Sequence, residues 1–286
     1  MDTTNDVVLS ICITTYNHEK FIKQTLDGVF MQKLDATVEV IIYNDASTDN
    51  SDKIIRDAIK DRANVRYMVQ AKNKGIAGNF TDSIKAARGK YVAVLDGDDY
   101  WIDEYKLQKQ IEFLEAHPEC KGCFTDTLVK NEMEDSLTSV GALKSKHKRH
   151  INLENLEHGG FWIPTSTFVY KNEALKQPLP QIYQQIKMVD IFLFYLILEQ
   201  GTLGYIDEVT AVYRKHDSGE WSGLDSLKKL DFRIDNLTKM QIHFSEHPVL
   251  GEIFNNRAKS QKKKKRNFKK QNVLGSIKNI LKGNFN

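Results

Sequence analysis

Val92-Ala93-Val94-Leu95-Asp96-Gly97-Asp98-Asp99-Tyr100-Trp101 is the stretch that decides the fold. Its apolar start reads as a buried strand. It ends abruptly in three carboxylates spaced by one glycine. In an open α/β sheet, ligands bind beyond the carboxyl ends of the strands, so the three acids stand where a ligand would. Packed this closely they repel one another, and their hard oxygens suit magnesium, manganese or calcium better than zinc. A cation held there would in turn hold a diphosphate. A DGDD met alone is equally an acidic turn, so the rest of the chain has to decide.

Working outward, Val7 to Thr14 is a β-branched, apolar strand broken by Thr15-Tyr16-Asn17-His18. Glu19 to Gln32 carries Phe21, Ile22, Leu26, Val29 and Phe30 at helical spacing. Val38 to Tyr43 is a second strand, ending in the cap-rich run Asn44 to Asp52. A helix with Ile54, Ile55, Ala58 and Ile59 leads to a third strand, Val65 to Val69. Asn73-Lys74-Gly75 then opens another helix before the DGDD strand. The alternation β-α-β-α-β-α-β with short connections is that of a parallel sheet covered by helices. Beyond it, a helix is expected over Tyr105–His117, a strand over Lys121–Lys130, a loop over Asn131–His150 and a strand over Trp162–Tyr170. A buried helix is expected over Met188–Gln200, one or two strands over Thr202–Arg214, and mostly helix over Leu224–Ser260.

The chain has 286 residues, 28% charged and 41% hydrophobic, ordinary for a folded protein with a sizeable core. The polar, acidic start Met1–Asp6 is unlike a signal peptide, and no apolar run reaches the ~20 residues of a spanning helix. Three cysteines, Cys12, Cys120 and Cys123, make no disulfide framework and fit the cytoplasm. Cys120-Lys121-Gly122-Cys123 has redox or zinc spacing, but no second pair follows and the segment reads as a strand. The net charge of +3 hides an asymmetry. Eleven of the 41 Lys and Arg lie from Ile253 onward, where there is no Asp or Glu, so the remainder carries 30 basic and 38 acidic groups. Lys262–Arg266 is an unbroken basic run. Val273, Leu274, Ile277, Ile280 and Leu281 follow at helical spacing, a pattern of membrane-surface binding rather than of a nucleic-acid partner.

Four strand ends carry polar clusters: Tyr16 and Asn17, Asn44 and Asp45, Lys74 and Gly75, and Asp96, Asp98 and Asp99. Together they supply an aromatic plate, a carboxylate, a basic group and a metal site, a set that suits a nucleotide diphosphate. Neither GxGxxG nor GxxxxGK[ST] occurs, which argues against dinucleotide and P-loop cradles.

In order and approximate spacing, four pieces resemble family 2 glycosyltransferases of the GT-A fold, which are inverting enzymes. They are Ser10–Asn17, Asn44–Asp49, Asn73-Lys74-Gly75 and Leu95–Trp101. The resemblance covers about residues 7 to 223; Thr15 stands where the family often has proline and Asn44 where it often has aspartate. It implies a UDP-sugar donor, with Thr14, Tyr16 and Asp45 at the base and Asp96 at the ribose. It places Lys74 and Gly75 near the sugar or phosphates, and Asp98, with Asp99 a second candidate, at Mn2+ or Mg2+. Asp190, in the first turn of its helix, matches the family's catalytic base. Within Tyr213-Arg214-Lys215-His216, Arg214 would neutralise phosphate and His216 would complete the metal or diphosphate site. Trp221 and Ser222 would belong to a lid, and Thr165-Ser166-Thr167 would touch the acceptor.

The organisation implied is a GT-A domain over 1–223, with a nucleotide-binding half (7–101) and an acceptor half (102–223). A helical extension (224–260) and a basic amphipathic tail (261–286) follow. The activity implied is metal-dependent transfer of a sugar to a saccharide or lipid-linked saccharide in surface polysaccharide or glycolipid synthesis, at the inner face of the plasma membrane. The alternatives are a nucleotidyltransferase on a related fold, or a non-catalytic nucleotide- or saccharide-binding protein.

Overall fold

The computed structural model describes residues 7–140, 150–153, 163–175, 177–219, 221 and 223–283; of residues 140 and 272–283 it describes the backbone alone. It divides into two compact units, Met1–Lys215 and His216–Asn286.

The first unit opens with the expected alternation: β1 (Leu9–Thr15), α1 (Ile22–Phe30), β2 (Val38–Asn44), α2 (Ser51–Ile59), β3 (Val65–Val69), α3 (Gly75–Lys85) and β4 (Tyr91–Asp96). β1, β2, β3 and β4 are parallel neighbours in the order β3-β2-β1-β4. The central strands are buried almost throughout, whereas β3 at the edge is only partly covered. Continuous β-branched runs such as LSICITT mark strands covered on both faces. Leu9, Ile11 and Ile13 of β1 pack with Tyr91, Ala93 and Leu95 of β4 and with Ile22 and Leu26 of α1 in one core.

Past Asp96 the chain makes the two-residue strand β5 (Tyr100–Trp101), then α4 (Lys106–Ala116), β6 (Cys120–Asn131), β7 (Ser136–Val140) and β8 (His150–Ile151). β9 (Phe168–Lys171), α5 (Val189–Leu198) and β10 (Thr202–Lys215) complete the unit. The sheet continues β4-β9-β6-β10-β5. β9 lies antiparallel between β4 and β6, so β6 and β10 run in the same direction as β4. α5 is apolar nearly all round and buried from Phe192 to Leu198, as MVDIFLFYLILEQ predicts.

Two expectations are corrected, and one is settled between its alternatives. The loop expected over Asn131–His150 contains β7, hairpinned onto β6, and β8; Ser136–Val140 mixes polar and apolar residues at an edge, which hid it from an apolar count. The strand expected over Trp162–Tyr170 begins only at Phe168, because Thr165–Thr167 forms a 3-10 turn after Pro164; Trp162 lies outside the described residues. Thr202–Lys215 is one strand, whose pairing slips where the exposed Asp207-Glu208 interrupts the alternation.

The second unit contains α6 (Ser226–His243), capped by Asp225 accepting the Lys228 N–H, and α7 (Leu250–Gly283). α7 is continuous across the boundary expected at 260–261. Its Ile253, Phe254 and Ala258 are buried, and Phe244 stacks on Phe254 at 5.4 Å. Lys262, Lys263, Lys264 and Arg266 are exposed. The apolar repeat from Val273 to Leu281 falls where side chains are not described.

Candidate functional site

The parallel strands bring their carboxyl ends to one edge, and the loops there are tied to each other before they offer anything to a ligand. Asn17 N–H donates to Ser47 Oγ and Asn17 Oδ1 accepts the Thr48 N–H at 2.8 Å; His18 N–H donates to Ser51 Oγ; Glu19 N–H donates to Asp49 Oδ2. The short polar side chains after β1 and β2 are therefore each other's turn partners, as such residues are in loops. Tyr16 stands out of this brace, 43% exposed.

The DGDD turn is gripped from below. Gly97 N–H donates to Thr14 O at 2.8 Å, and the single hydroxyl hydrogen of Thr25 on α1 lies between two carbonyls of the turn, with Oγ1 2.7 Å from Asp99 O and 2.9 Å from Gly97 O. A Cβ on Gly97 would stand 2.8 Å from Thr15 Cβ and 2.9 Å from His18 Nδ1, so only glycine fits. Trp101, buried, donates its Nε1–H to Ser166 O at 2.7 Å and closes the segment.

The three acids separate by orientation. Asp98 keeps part of its carboxylate at the surface, with His18 Nε2 3.8 Å from its Oδ2. Asp96 is half-buried; burial first, then the charges of Asp98 and Asp190, push its carboxyl up to about 7, against hydrogen bonds from Thr14 and Thr165. Asp99 is turned inward, 2% exposed, and its Oδ1 accepts the backbone N–H of Arg214 at 2.9 Å. It therefore braces the turn, whereas it was expected as a second metal ligand.

Arg214 also departs from expectation. Its guanidinium is buried, with Nε 3.0 Å from Glu132 Oε1, Nη1 on the carbonyl of Asp98 and Nη2 on Gln24 Oε1. It lies over the Tyr100 ring at 4.3 Å. All three of its nitrogens are engaged beneath the turn, so it acts as a strut there. Tyr213, one residue earlier and hence on the opposite side of the strand, was given no role from sequence. Burial raises its phenol's pKa, and so do the charges of Asp99, Asp98, Asp190 and Asp96. One phenol thus stands within electrostatic reach of all four acids.

Asp190 sits in the first turn of α5. Burial pushes its carboxyl up to about 6, against hydrogen bonds from the N–H of Ile191 and its own. Its charge is felt by Asp96, so the base predicted from sequence and the strand-end acids share one space.

The other expected donor residues are engaged locally. Asp45, buried, accepts the N–H of Lys74 at 2.7 Å and of Gly75 at 2.8 Å, holding the start of α3. Gly75 has φ of 74°, the left-handed region that favours glycine. Lys74 Nζ is paired with Asp82 Oδ2 at 2.5 Å. Thr14 Oγ1 donates to Asp96 Oδ1 at 3.1 Å. Thr165 is buried at the acids, where an acceptor contact was expected. His216 opens the second unit, with Nδ1 2.9 Å from Ser218 Oγ. Trp221 packs on Phe232 and Arg233 of α6, and Ser222 lies outside the described residues. His18, Thr25, Gln24 and Glu132 reach the site from α1, the loop before it and the β6–β7 turn. No motif pointed to them, because their roles come from tertiary approach.

A family model described as "Glycosyl transferase family 2" matches residues 10–177. The chain belongs to glycosyltransferase family 2. An uncharacterised protein of Mycobacterium tuberculosis is 34% identical over 214 residues, covering 74% of this chain; the match spans only 60% of that relative's length. An Escherichia coli protein, "UDP-Glc:alpha-D-GlcNAc-diphosphoundecaprenol beta-1,3-glucosyltransferase WfaP", is 38% identical over 112 residues, covering 38% of this chain and 42% of its own. Among solved structures, Staphylococcus aureus TarS 1–349 in complex with UDP-GlcNAc superposes with a TM-score of 0.61 at 18% identity, covering 89% of this chain and 73% of that one. Mannosyltransferase PcManGT from Pyrobaculum calidifontis, in complex with GDP-Man and Mn2+, gives 0.59 at 15% identity, covering 89% and 70%. These likenesses establish the GT-A fold.

Proposed function

We propose that this family 2 member is an inverting, divalent-metal-dependent glycosyltransferase that moves a sugar from a UDP-sugar to a saccharide or lipid-linked saccharide. The observation that carries the reading is the convergence of Asp96, Asp98, Asp99 and Asp190 around Tyr213. A buried cluster in which burial, and then the charges of neighbouring acids, raise Asp96 and Asp99 is the environment a hard divalent cation relieves. Asp98, partly exposed, and Asp96 beside it would hold Mn2+ or Mg2+, which would neutralise charge on the leaving diphosphate.

The chain's own residues do the rest. Tyr16 offers an exposed ring on which a base stacks. The loop capped by Asp45 presents Lys74 and Gly75 at the donor edge. Asp190 takes the proton of the acceptor hydroxyl as that oxygen bonds to the anomeric carbon, while the bond from that carbon to the diphosphate oxygen breaks on the opposite face. A carboxyl raised to about 6 is ionised at neutral pH, yet basic enough to accept that proton.

UDP as the nucleotide is supported by TarS, crystallised with UDP-GlcNAc, and by the UDP-Glc of WfaP, whose acceptor is a lipid-linked diphosphate. The exposed Lys262, Lys263, Lys264 and Arg266 on α7 suit an anionic membrane surface where such acceptors lie. Among the described residues no helix is long and apolar enough to cross a membrane.

The test is a panel of UDP-sugars incubated with Mn2+, with Mg2+ and with chelator, reading UDP release and the anomeric configuration of the product by NMR. Metal-dependent release with inverted configuration is expected. Retention, or equal release in chelator, contradicts the reading.

A further inference from the structure

At the edge of the sheet opposite the acids, three side chains of different chemistry converge. β6 runs in the same direction as β4, so its first residue, Cys120, lies at the end of the sheet away from Asp96. β10 brings its neighbours together there: Thr202 pairs with Cys120 on one side, and Gly204 pairs with His150 of β8 on the other. One ligand atom from each of Glu119, Cys120 and His150 lies within 4.8 Å of the others. His150 Nδ1 is 3.7 Å from Glu119 Oε1, and Cys120 Sγ is 3.4 Å from Thr202 Oγ1.

The rings around the cluster hold it in place. Gly204 leaves room for Phe113, whose ring carbon would stand 2.0 Å from a Cβ at that position. Phe113 stacks on His117 at 4.1 Å and meets His150 edge-on at 6.2 Å. His117 Nδ1 is 2.8 Å from Phe113 O; a carbonyl only accepts, so this nitrogen carries the hydrogen. The His117 and His150 rings are 5.3 Å apart.

We propose that Glu119, Cys120 and His150 form a second metal site, for a borderline-soft divalent ion of the zinc type, with solvent in the fourth position. Thiolate, imidazole and carboxylate together select zinc, cobalt or cadmium over the magnesium and manganese that suit an all-oxygen cluster. The site accounts for half of the Cys120-Lys121-Gly122-Cys123 spacing. Cys123 takes no part: it is buried, with Sγ 3.7 Å from Gln110 Nε2. A bound ion would tie β8 to the start of β6 across β10. A thiol binds metal as thiolate, so uptake at Cys120 releases a proton.

The experiment titrates Cd2+ into the reduced full-length protein and follows the ultraviolet thiolate-to-metal charge-transfer band, which the oxygen-lined acid cluster cannot produce. A band saturating at one equivalent is expected, with about one proton released per ion in weakly buffered solution, and Zn2+ should displace the Cd2+. Cys120→Ser should abolish the band and Asp98→Asn should leave it intact. A band that persists in Cys120→Ser, or no band in a protein with native circular dichroism, overturns the proposal. If Cys120→Ser fails to fold, His150→Ala decides. That side chain is exposed, and its loss should weaken Cd2+ binding roughly tenfold or more; undiminished affinity overturns the site.

Discussion

The backbone N–H of Arg214 donates to Asp99 Oδ1 at 2.9 Å while the same residue's guanidinium holds the carbonyl of Asp98. One residue from the last strand of the sheet therefore fixes both halves of the acid turn. The buried fork also binds Glu132 and Gln24, which a single ammonium cannot reproduce. Arg214→Ala leaves the Asp98 carbonyl and Gln24 without their donor and should cost roughly 1–3 kcal/mol, the scale for a buried polar group left unpaired. Arg214→Lys should recover only part of this. Urea denaturation checks both; a loss below about 1 kcal/mol in Arg214→Ala would mean that the strut bears no load.

Asp190→Asn keeps the shape of the first turn of α5 and removes the proton acceptor. Turnover should fall by roughly a hundred- to ten-thousand-fold with nucleotide affinity little changed. In the wild type the rate should fall as pH drops through about 6, because protonating the raised carboxyl removes the base. An acid limb unchanged in the residual activity of Asp190→Asn would assign that titration to another group.

Gly97→Ala places a methyl group against Thr15 and His18. Overpacking of this kind costs about 1–3 kcal/mol, and here it would displace the loop that carries Tyr16. Both thermal stability and nucleotide affinity should fall. Native affinity in Gly97→Ala would show that the turn has slack.

Glu39 sets an acid limit on the fold away from the site. Burial opposes its charged form, but hydrogen bonds from Arg88, Ser10 and Arg66 outweigh that and hold the carboxyl down to about 2. A depressed carboxylate contributes stability that is present above its unfolded pKa of about 4.3 and is lost as pH falls from there toward 2. Glu39→Gln should destabilise the protein at pH 7 and flatten the decline below about pH 4. A decline of unchanged steepness would place the acid-sensitive group elsewhere.

What could be read from sequence follows a physical division. Val38–Tyr43 and Met188–Gln200 announce themselves because covered strands and buried helices are apolar along their whole length. β7 does not, because an edge strand needs no continuous apolar run. The sequence puts Asp98 just past a strand and Asp190 in the first turn of a helix, and the structure has them just past the end of β4 and in the first turn of α5. Arg214 was legible as the basic residue of the Tyr213–His216 run, but its burial was not, and Tyr213 was given no role. Neighbours on a strand face opposite sides, and only the packed structure tells which side holds the acids. Thr25 grips the DGDD turn from 72 residues away in sequence, a distance that no local pattern reports.

The most direct test of the central claim is calorimetric titration of UDP and GDP into the wild type and into Asp98→Asn, each with Mn2+ and with chelator. UDP should bind the wild type only when metal is present, GDP should bind more weakly, and Asp98→Asn should lose the metal-dependent component. UDP binding that is indifferent to both chelator and Asp98→Asn would contradict the assignment of the acid turn as the donor's metal site.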